Sequence, residues 1–343
     1  MTDRKRLRLA ALAAAASLTF AAEAPAQEFK LTFADQNVPS AWGPAHAVHP
    51  WVKQVEAATR GRVAIEMYPS QTLLKGIDMW KGVRDGIADM AWCVQGYWPE
   101  QTPLSDVISL PFLPISSAER GSEVLWKLYE KFPSIQREYA DIQPLVLHAS
   151  SNLLISKKPI NTMDDLRGLK MRVLGGPPSE MAKALGAVPA LLPMPQLYQA
   201  FEKGDVDAAA APWEPVHGFR LYEVAKTFTA VPLYASYYSV CANKQKWESL
   251  PKDVREQIMS VSGSAGAKFW GKNFFDNAEE GVIERASAGN FAVDRRAVAP
   301  EEVARWRKVA GEPLWNAWVE KMEGKGHPEA RDILNTTLEL LKD

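Results

Sequence analysis

The sequence predicts an α/β fold of two similar lobes, on three observations. Short alternating segments and amphipathic helical segments follow one another in two separate blocks of the chain. A pattern recurs between those blocks: "VRDGIADMAW" (83–92) and "FEKGDVDAAA" (201–210) each end a helix on glycine, Gly86 and Gly204, and place an aspartate, Asp89 and Asp207, three residues later. Glycine takes the left-handed position after a helix without steric penalty, and the aspartates are expected to bond local backbone. Finally, one helical pattern runs from about 251 to 288, longer than an ordinary globular helix and able to lie across both lobes, with Gly263, Gly266 and Gly271 as expected bends.

In the first block "FKLTFADQ" alternates as a strand, and a helical stretch follows to Gly61. "RVAIEMYP" alternates again, "LLKGIDMWKGVRDG" is helical, and "IADMAWCV" is strand-like. The second block opens with the strand "LLISKK" and the short helix "TMDDLRG", for which Thr162 is the expected cap. "LKMRVLG", "AVPALLP" and "VDAAAAPW" then read as extended segments separated by the helices "PSEMAKALG" and "PQLYQAFEKG". "FAVD" gives a late strand, and two amphipathic stretches close the chain. Lobe I is expected to hold 27–149 plus 238–275, and lobe II 150–237 plus 276–343.

Residues 1–26 are set apart. Arg4, Lys5, Arg6 and Arg8 precede an apolar run from Leu9 to Ala22 and the triplet Ala24, Pro25, Ala26, the layout of a secretory signal peptide with cleavage expected after Ala26. The apolar run is too short and too alanine-rich to favour a membrane span, so the mature chain is expected to be soluble and exported. Forty basic residues against 41 acidic ones, without a long Lys/Arg run, argue against nucleic acid as a partner. Cys93 and Cys241 lie far apart in apolar runs, and read either as buried thiols or, in an exported protein, as a joined pair.

Signals for catalysis are weak. His46 and His49 lie one turn apart but no further Cys or His completes a metal site, and the single Glu214–His217 spacing is interrupted by Pro215. "SGSAG" sits inside a helical pattern rather than at a strand-to-helix turn, and "LGGPP" is too short for a dinucleotide loop. No enzyme activity, metal or cofactor is expected.

Arg172 is the exception. It stands between Met171 and Val173 in an otherwise buried strand, where a guanidinium needs an anionic partner. A salt bridge to Asp164, Asp165 or Glu180 would satisfy it. So would a ligand carboxylate, since the residue lies near the C-terminal end of a strand, where α/β sheets bind ligands, and its planar fork matches a carboxylate. Trp42, Trp92, Tyr97, Trp98, Trp213, Tyr237 and Tyr238 fall at strand ends or in the loops after them, and the prolines around Trp213 are expected to hold its indole in a loop.

In the order and spacing of "EAATRGRVAIEMYPSQTLLKG", "GVRDGIADMAW", "SLPFL", "TMDDLRGLKMRVLGG", "ALGAVPALLPMPQLYQAFEKGDVDA", "LYEVAKTFT" and "NKQKWESLPKDVREQI", the chain resembles the periplasmic solute-binding proteins of tripartite ATP-independent periplasmic (TRAP) transporters, DctP type. The resemblance implies a two-lobed periplasmic binding protein fold, type II-like, with crossing strands and a long helix spanning both lobes. It further implies that Arg172 clamps the carboxylate of an organic acid, which is then delivered to a permease of small and large membrane subunits. Sialic-acid-binding members have a second arginine where this chain has Asn152, and asparagine where it has Ala211, so sialic acid is not the expected ligand.

A single guanidinium favours a monocarboxylate or hydroxy acid with an apolar or aromatic body, stacked on Trp213. Glu214 is expected to accept bonds from ligand hydroxyl or amino groups, or to help hold a cation. The expected contacts are Gln36, Gln95 and Tyr97 from lobe I, Asn152, Arg172, Trp213 and Glu214 from lobe II, and Tyr237 or Tyr238 near the crossover. An ABC-type periplasmic receptor for a small organic acid or amino acid is the alternative.

Overall fold

The computed structural model describes residues 27–342, so the expected signal peptide lies outside the described residues. The strands are β1 (Phe29–Ala34), β2 (Val63–Tyr68), β3 (Met90–Val94), β4 (Ile142–Ala149), β5 (Leu153–Ser156), β6 (Lys170–Val173), β7 (Val188–Leu191), β8 (Ala208–Ala211), β9 (Thr227–Ala230), β10 (Tyr237–Asn243) and β11 (Asp294–Ala297). They form two sheets, ordered β2-β1-β3-β10-β4 and β11-β9-β5-β8-β6-β7. Within the first, β1 runs parallel to β2 and β3, and β10 enters antiparallel between β3 and β4. In the second, β6 runs parallel to β7 and β8, while β5 is antiparallel to β8 and β9.

The chain therefore crosses from the first lobe to the second after β4 and returns before β10. The two crossing segments are tied where Ser150 N–H donates to Ser236 O at 2.8 Å.

The central strands of each sheet are buried on both faces, and strand alternation divides their side chains between them. On β3 and β10, Ala91, Cys93, Tyr237 and Cys241 enter one lobe I core, while Met90, Trp92, Val94, Tyr238 and Val240 enter the other. In lobe II, Met171, Val173, Ala208 and Ala210 face one core, and Ala209 and Ala211 the other.

The recurring pattern has a structural counterpart in each lobe. Gly86 and Gly204 have φ of 77° and 82°, values that favour glycine. Asp89 Oδ2 accepts from the backbone N–H of Thr32 on β1 at 2.8 Å, and Asp207 Oδ2 from that of Lys170 on β6 at 3.0 Å. Each aspartate thus ties the start of its own strand to a neighbouring strand of the sheet. The short helix Met163–Leu166 carries a capping box between Thr162 and Asp165.

The long helical region is segmented. Lys252–Ser260 ends before Gly263, whose φ is 55°, and Gly263–Trp270 continues through a π turn (Gly271–Asp276) into Ala278–Ala288. A Cβ on Gly271 would lie 2.5 Å from Ala118 O, so the turn is set by close contact with the helix Ala118–Lys131. Trp270 and Phe274 pack in lobe I, and Val282 and Ala286 in lobe II, so the region does span both.

Two boundaries need correction. The late strand is Asp294–Ala297, starting at the last residue of the expected "FAVD" segment because it pairs in register with β9 from Thr227 onward. The closing helices Glu312–Gly324 and Ala330–Leu340 do not join lobe II: Trp315, Trp318, Val319, Ile333 and Leu334 pack into the lobe I core beside Val124, Leu125 and Leu128. Trp306 and Ala310, just before them, still pack in lobe II.

Candidate functional site

Arg172 is 2% exposed and, among the described residues, holds no side-chain partner of opposite charge. Asp164 pairs with Arg167 and Arg305, Glu180 with Lys183, and Asp165 accepts from the backbone of Asn161 and Thr162. Instead Arg172 Nε donates to Leu192 O at 3.1 Å and Nη1 to Ala210 O at 3.3 Å. Strand register places Arg172 between Ala190 on β7 and Ala209 on β8, two residues small enough to leave the guanidinium room on that face. Of its five N–H donors, those not engaged by the two carbonyls are available to a planar anion.

The guanidinium faces a narrow cavity between the lobes, with about 350 Å³ of atom-free space, part of it continuous with solvent. Lobe I lines it with Gln36, Asn37, Trp92, Val94 and Tyr97, and lobe II with Arg172, Leu174, Met194, Pro212, Glu214 and Pro215. Ser236 and Tyr238, at the crossover, and Phe275, on the long helical region, complete the wall.

Three of its walls are aromatic and mutually supporting. Tyr238 stacks on Trp92 at 4.9 Å and on Phe275 at 5.1 Å. Trp92 donates its indole N–H to His148 Nε2 at 2.9 Å, and burial holds His148 neutral with its pKa lowered to about 3. Fixed rings of this kind offer an apolar slot at low entropic cost.

Glu214 is 3% exposed, and its Oε1 accepts from the backbone N–H of Gly43, in lobe I, at 3.1 Å. Burial, with nearby Asp35 adding to it, raises its pKa to about 8. Asp35 is likewise raised by burial, to about 7, although it accepts from the backbone and side chain of Asn37. Glu214 is therefore predominantly a neutral acid near neutral pH, able to donate as well as accept.

Other bonds also cross the cleft. Gly175 N–H donates to Gly96 O at 3.0 Å, and Met194 N–H to Tyr97 Oη at 2.8 Å. A Cβ on Gly96 would sit 2.6 Å from Leu174 Cβ, so this approach of the lobes requires glycine.

Gln36, Tyr97, Arg172, Glu214 and Tyr238 thus meet at one cavity, and the other expected contacts lie elsewhere. Tyr237 points to the opposite face of β10, where its hydroxyl bonds Thr102 and Asp106. Gln95, following Val94, is buried away from the cavity lining. Asn152 donates to Ser236 Oγ at 2.9 Å and stands behind it. Trp213 precedes the helix Glu214–Gly218, stacks on Phe228 at 5.4 Å and shares a separate recess with Asn152 and Tyr234.

Trp92, Asn37, Leu174, Met194, Ser236 and Phe275 were not among the expected contacts. The alternation of β3 separates Trp92 from Cys93 in the sequence, but does not say which of the two faces the other lobe.

Two lobes bonded across a cavity that contains a buried guanidinium define a bilobed solute receptor. The family model of the bacterial extracellular solute-binding proteins, family 7 (DctP), matches residues 38–321, and the chain belongs to that family. It is 29% identical over 332 residues to the outer membrane transporter protein TsaT of Comamonas testosteroni, covering 95% of each chain.

It is similar, at 27% identity and a TM-score of 0.85, to a TRAP solute-binding protein of Rhodoferax ferrireducens crystallised with copurified benzoate, covering 91% of this chain and 97% of that one. A marine metagenome TRAP protein specific for aromatic acids, in complex with 3-hydroxybenzoate, shares 28% identity and a TM-score of 0.85, covering 92% and 98%. These findings support the TRAP reading over the ABC alternative, and a receptor rather than an enzyme. No described helix is long and apolar enough to cross a membrane.

Proposed function

We propose that this receptor binds an aromatic or hydroxylated monocarboxylate and delivers it, in the periplasm, to the small and large membrane subunits of a TRAP permease. The observation that carries the ligand class is Arg172, buried and bonded among the described residues by two carbonyls, facing a slot walled by Trp92, Tyr238 and Phe275. The carboxylate docks on the free guanidinium donors and the ring enters the slot. Neutral Glu214 meets a hydroxyl or other polar substituent, while Gln36 and Tyr97 bond the ligand from lobe I. Asn152 acts through Ser236, and Trp213, Gln95 and Tyr237 support the walls from behind. Closure excludes water and strengthens the ion pair. Export follows from the leader at 1–26, cut after Ala26.

The likeness to proteins that hold benzoate and 3-hydroxybenzoate supports this reading. Calorimetric titration of the mature chain with benzoate, 3-hydroxybenzoate and succinate tests it. Binding is expected for the first two, weakened about 30-fold or more in Arg172→Ala. Tight binding of succinate with no response to either benzoate overturns the ligand class, and benzoate binding of parental affinity in Arg172→Ala overturns the clamp.

A further inference from the structure

Cys93 on β3 and Cys241 on β10 are both fully buried, on the face of the lobe I sheet opposite Trp92 and Tyr238. Their strands are antiparallel neighbours in which Cys93 lies opposite Ser239 and Cys241 opposite Ala91, so the two cysteines are diagonal neighbours with side chains on one face. Their sulfurs stand 2.6 Å apart, nearer than two unbonded sulfur atoms pack. Burial and the adjoining sulfur raise the Cys93 thiol well above the usual thiol range, so a reduced pair in the folded protein would be inert to external oxidants.

We propose that Cys93 and Cys241 are joined by a structural disulfide, formed during folding after export. The oxidant is a disulfide-bearing thiol oxidase or a small oxidised thiol. A cysteine thiolate of the folding chain attacks the oxidant's disulfide and releases one oxidant thiol. The second cysteine thiolate then displaces the other oxidant sulfur as a thiol, leaving the Sγ–Sγ bond, so two electrons and two protons pass to the oxidant. Because both cysteines are enclosed in the finished fold, exchange precedes the insertion of β10.

This placement gives the bond a specific role. β10 is the returning strand, and it sits in the middle of the lobe I sheet between β3 and β4. The crosslink joins residues 148 apart in sequence and closes a loop that contains β4 and the excursion through β5 to β9. It therefore holds the lobe I sheet together independently of lobe II, and pins the two strands whose other face carries the Trp92–Tyr238 stack.

The test takes protein recovered from the periplasmic fraction of a bacterial host, denatures it in the presence of a thiol-alkylating reagent, and reads its intact mass with and without prior reduction. No adducts before reduction and two after it, with a Cys93–Cys241 linked peptide in the unreduced digest, are the expected result. Two adducts without reductant overturn the proposal. If no protein reaches that fraction, the reduced, denatured mature chain is refolded in a glutathione redox buffer and read the same way, a folded monomer with two free thiols counting against the bond.

Cys93→Ala/Cys241→Ala is expected to lower Tm by roughly 5 °C or more, with benzoate affinity within about twofold of the parent. An unchanged Tm in a double variant that folds overturns the stabilising role. Should the variant fail to fold, comparison of the reduced and oxidised parent supplies the same reading.

Discussion

Lobe I faces the cleft with rings, and lobe II faces it with charge. Trp92, Tyr238 and Phe275 form a stacked wall whose polar atoms are largely engaged elsewhere, as in the bond from Trp92 to His148. Opposite it, Arg172 and Glu214 are buried ionisable groups with few partners, held by carbonyls and by one backbone N–H. A preformed apolar wall discriminates by shape at modest energy, whereas an underpaired buried charge discriminates strongly, because leaving it without an anion is costly.

The largest effect is expected on the charged side. Arg172→Ala should weaken binding of an aromatic acid by about 2–5 kcal/mol, roughly 30-fold to several thousandfold, with Arg172→Lys intermediate, as read by calorimetry. Equal losses in the alanine and lysine variants would show that fork geometry matters more than charge.

Contact between the walls should matter next. Gly96→Ala brings a Cβ to 2.6 Å from Leu174 Cβ and opposes the bond from Gly175 to Gly96. We expect affinity to fall about 10–100-fold from a closure cost of roughly 1–3 kcal/mol, with little change in Tm. Small-angle scattering of the ligand-saturated variant should show a more open molecule than the parent. A compact variant of parental affinity would mean that the lobes re-seat at no cost.

Buried carboxyls of both lobes should give the protein its pH response. Glu214 (about 8), Asp35 (about 7) and Glu138 (about 7) all have pKa values raised by burial. Each keeps its proton in the folded state where the unfolded chain has released it, so its contribution is full at low pH and is lost as pH rises through the folded value.

Buried His148, lowered to about 3, acts in the opposite direction only below its ordinary range. Between pH 6.5 and 8.5 the carboxyls prevail. Unfolding free energy should fall with a slope on the order of 1 kcal/mol per pH unit for each group still protonated. Denaturant titrations at those two pH values check this, and Glu214→Gln should flatten the slope. A slope unchanged by that substitution would mean that Glu214 is already ionised.

On the apolar side the effects should be smaller and should split the adjacent tyrosines. Tyr238→Leu is expected to reduce affinity for benzoate by about 0.5–1.5 kcal/mol, two- to tenfold, and affinity for an aliphatic monocarboxylate less. Tyr237→Phe removes the donor to buried Asp106 and should cost about 1–3 kcal/mol of stability while leaving affinity alone. Parallel calorimetry and denaturation of the two variants separate a wall that selects ligands from a core that supports it.

Much of this contrast was legible in the sequence, and some was not. Arg172 was legible because a guanidinium in an apolar strand is anomalous by itself. The echo of Gly86 and Asp89 in Gly204 and Asp207 was legible because helix ends and strand starts are local. Trp213 misled: its flanking prolines do mark a break in regular structure, but that break turns the indole toward Phe228 instead of Arg172. Tyr237 lies one residue from cavity-lining Tyr238, and in a strand one residue is the difference between opposite faces, while Gln95 begins the short 3-10 turn that follows β3.

By itself the sequence determined the alternating periods of the strands, the glycines that end helices, the region that crosses between lobes, and the anomaly of a guanidinium, Arg172, in an apolar strand. All of these rest on interactions within a few residues or on the desolvation of one group. Tertiary structure decided which face of β3 and β10 meets the other lobe, that the closing helices return to lobe I, and that Cys93 and Cys241 come together. An alternating strand specifies two faces but gives neither a partner. That choice depends on contacts between residues far apart in the chain, whose pairing appears only when the chain has folded back on itself.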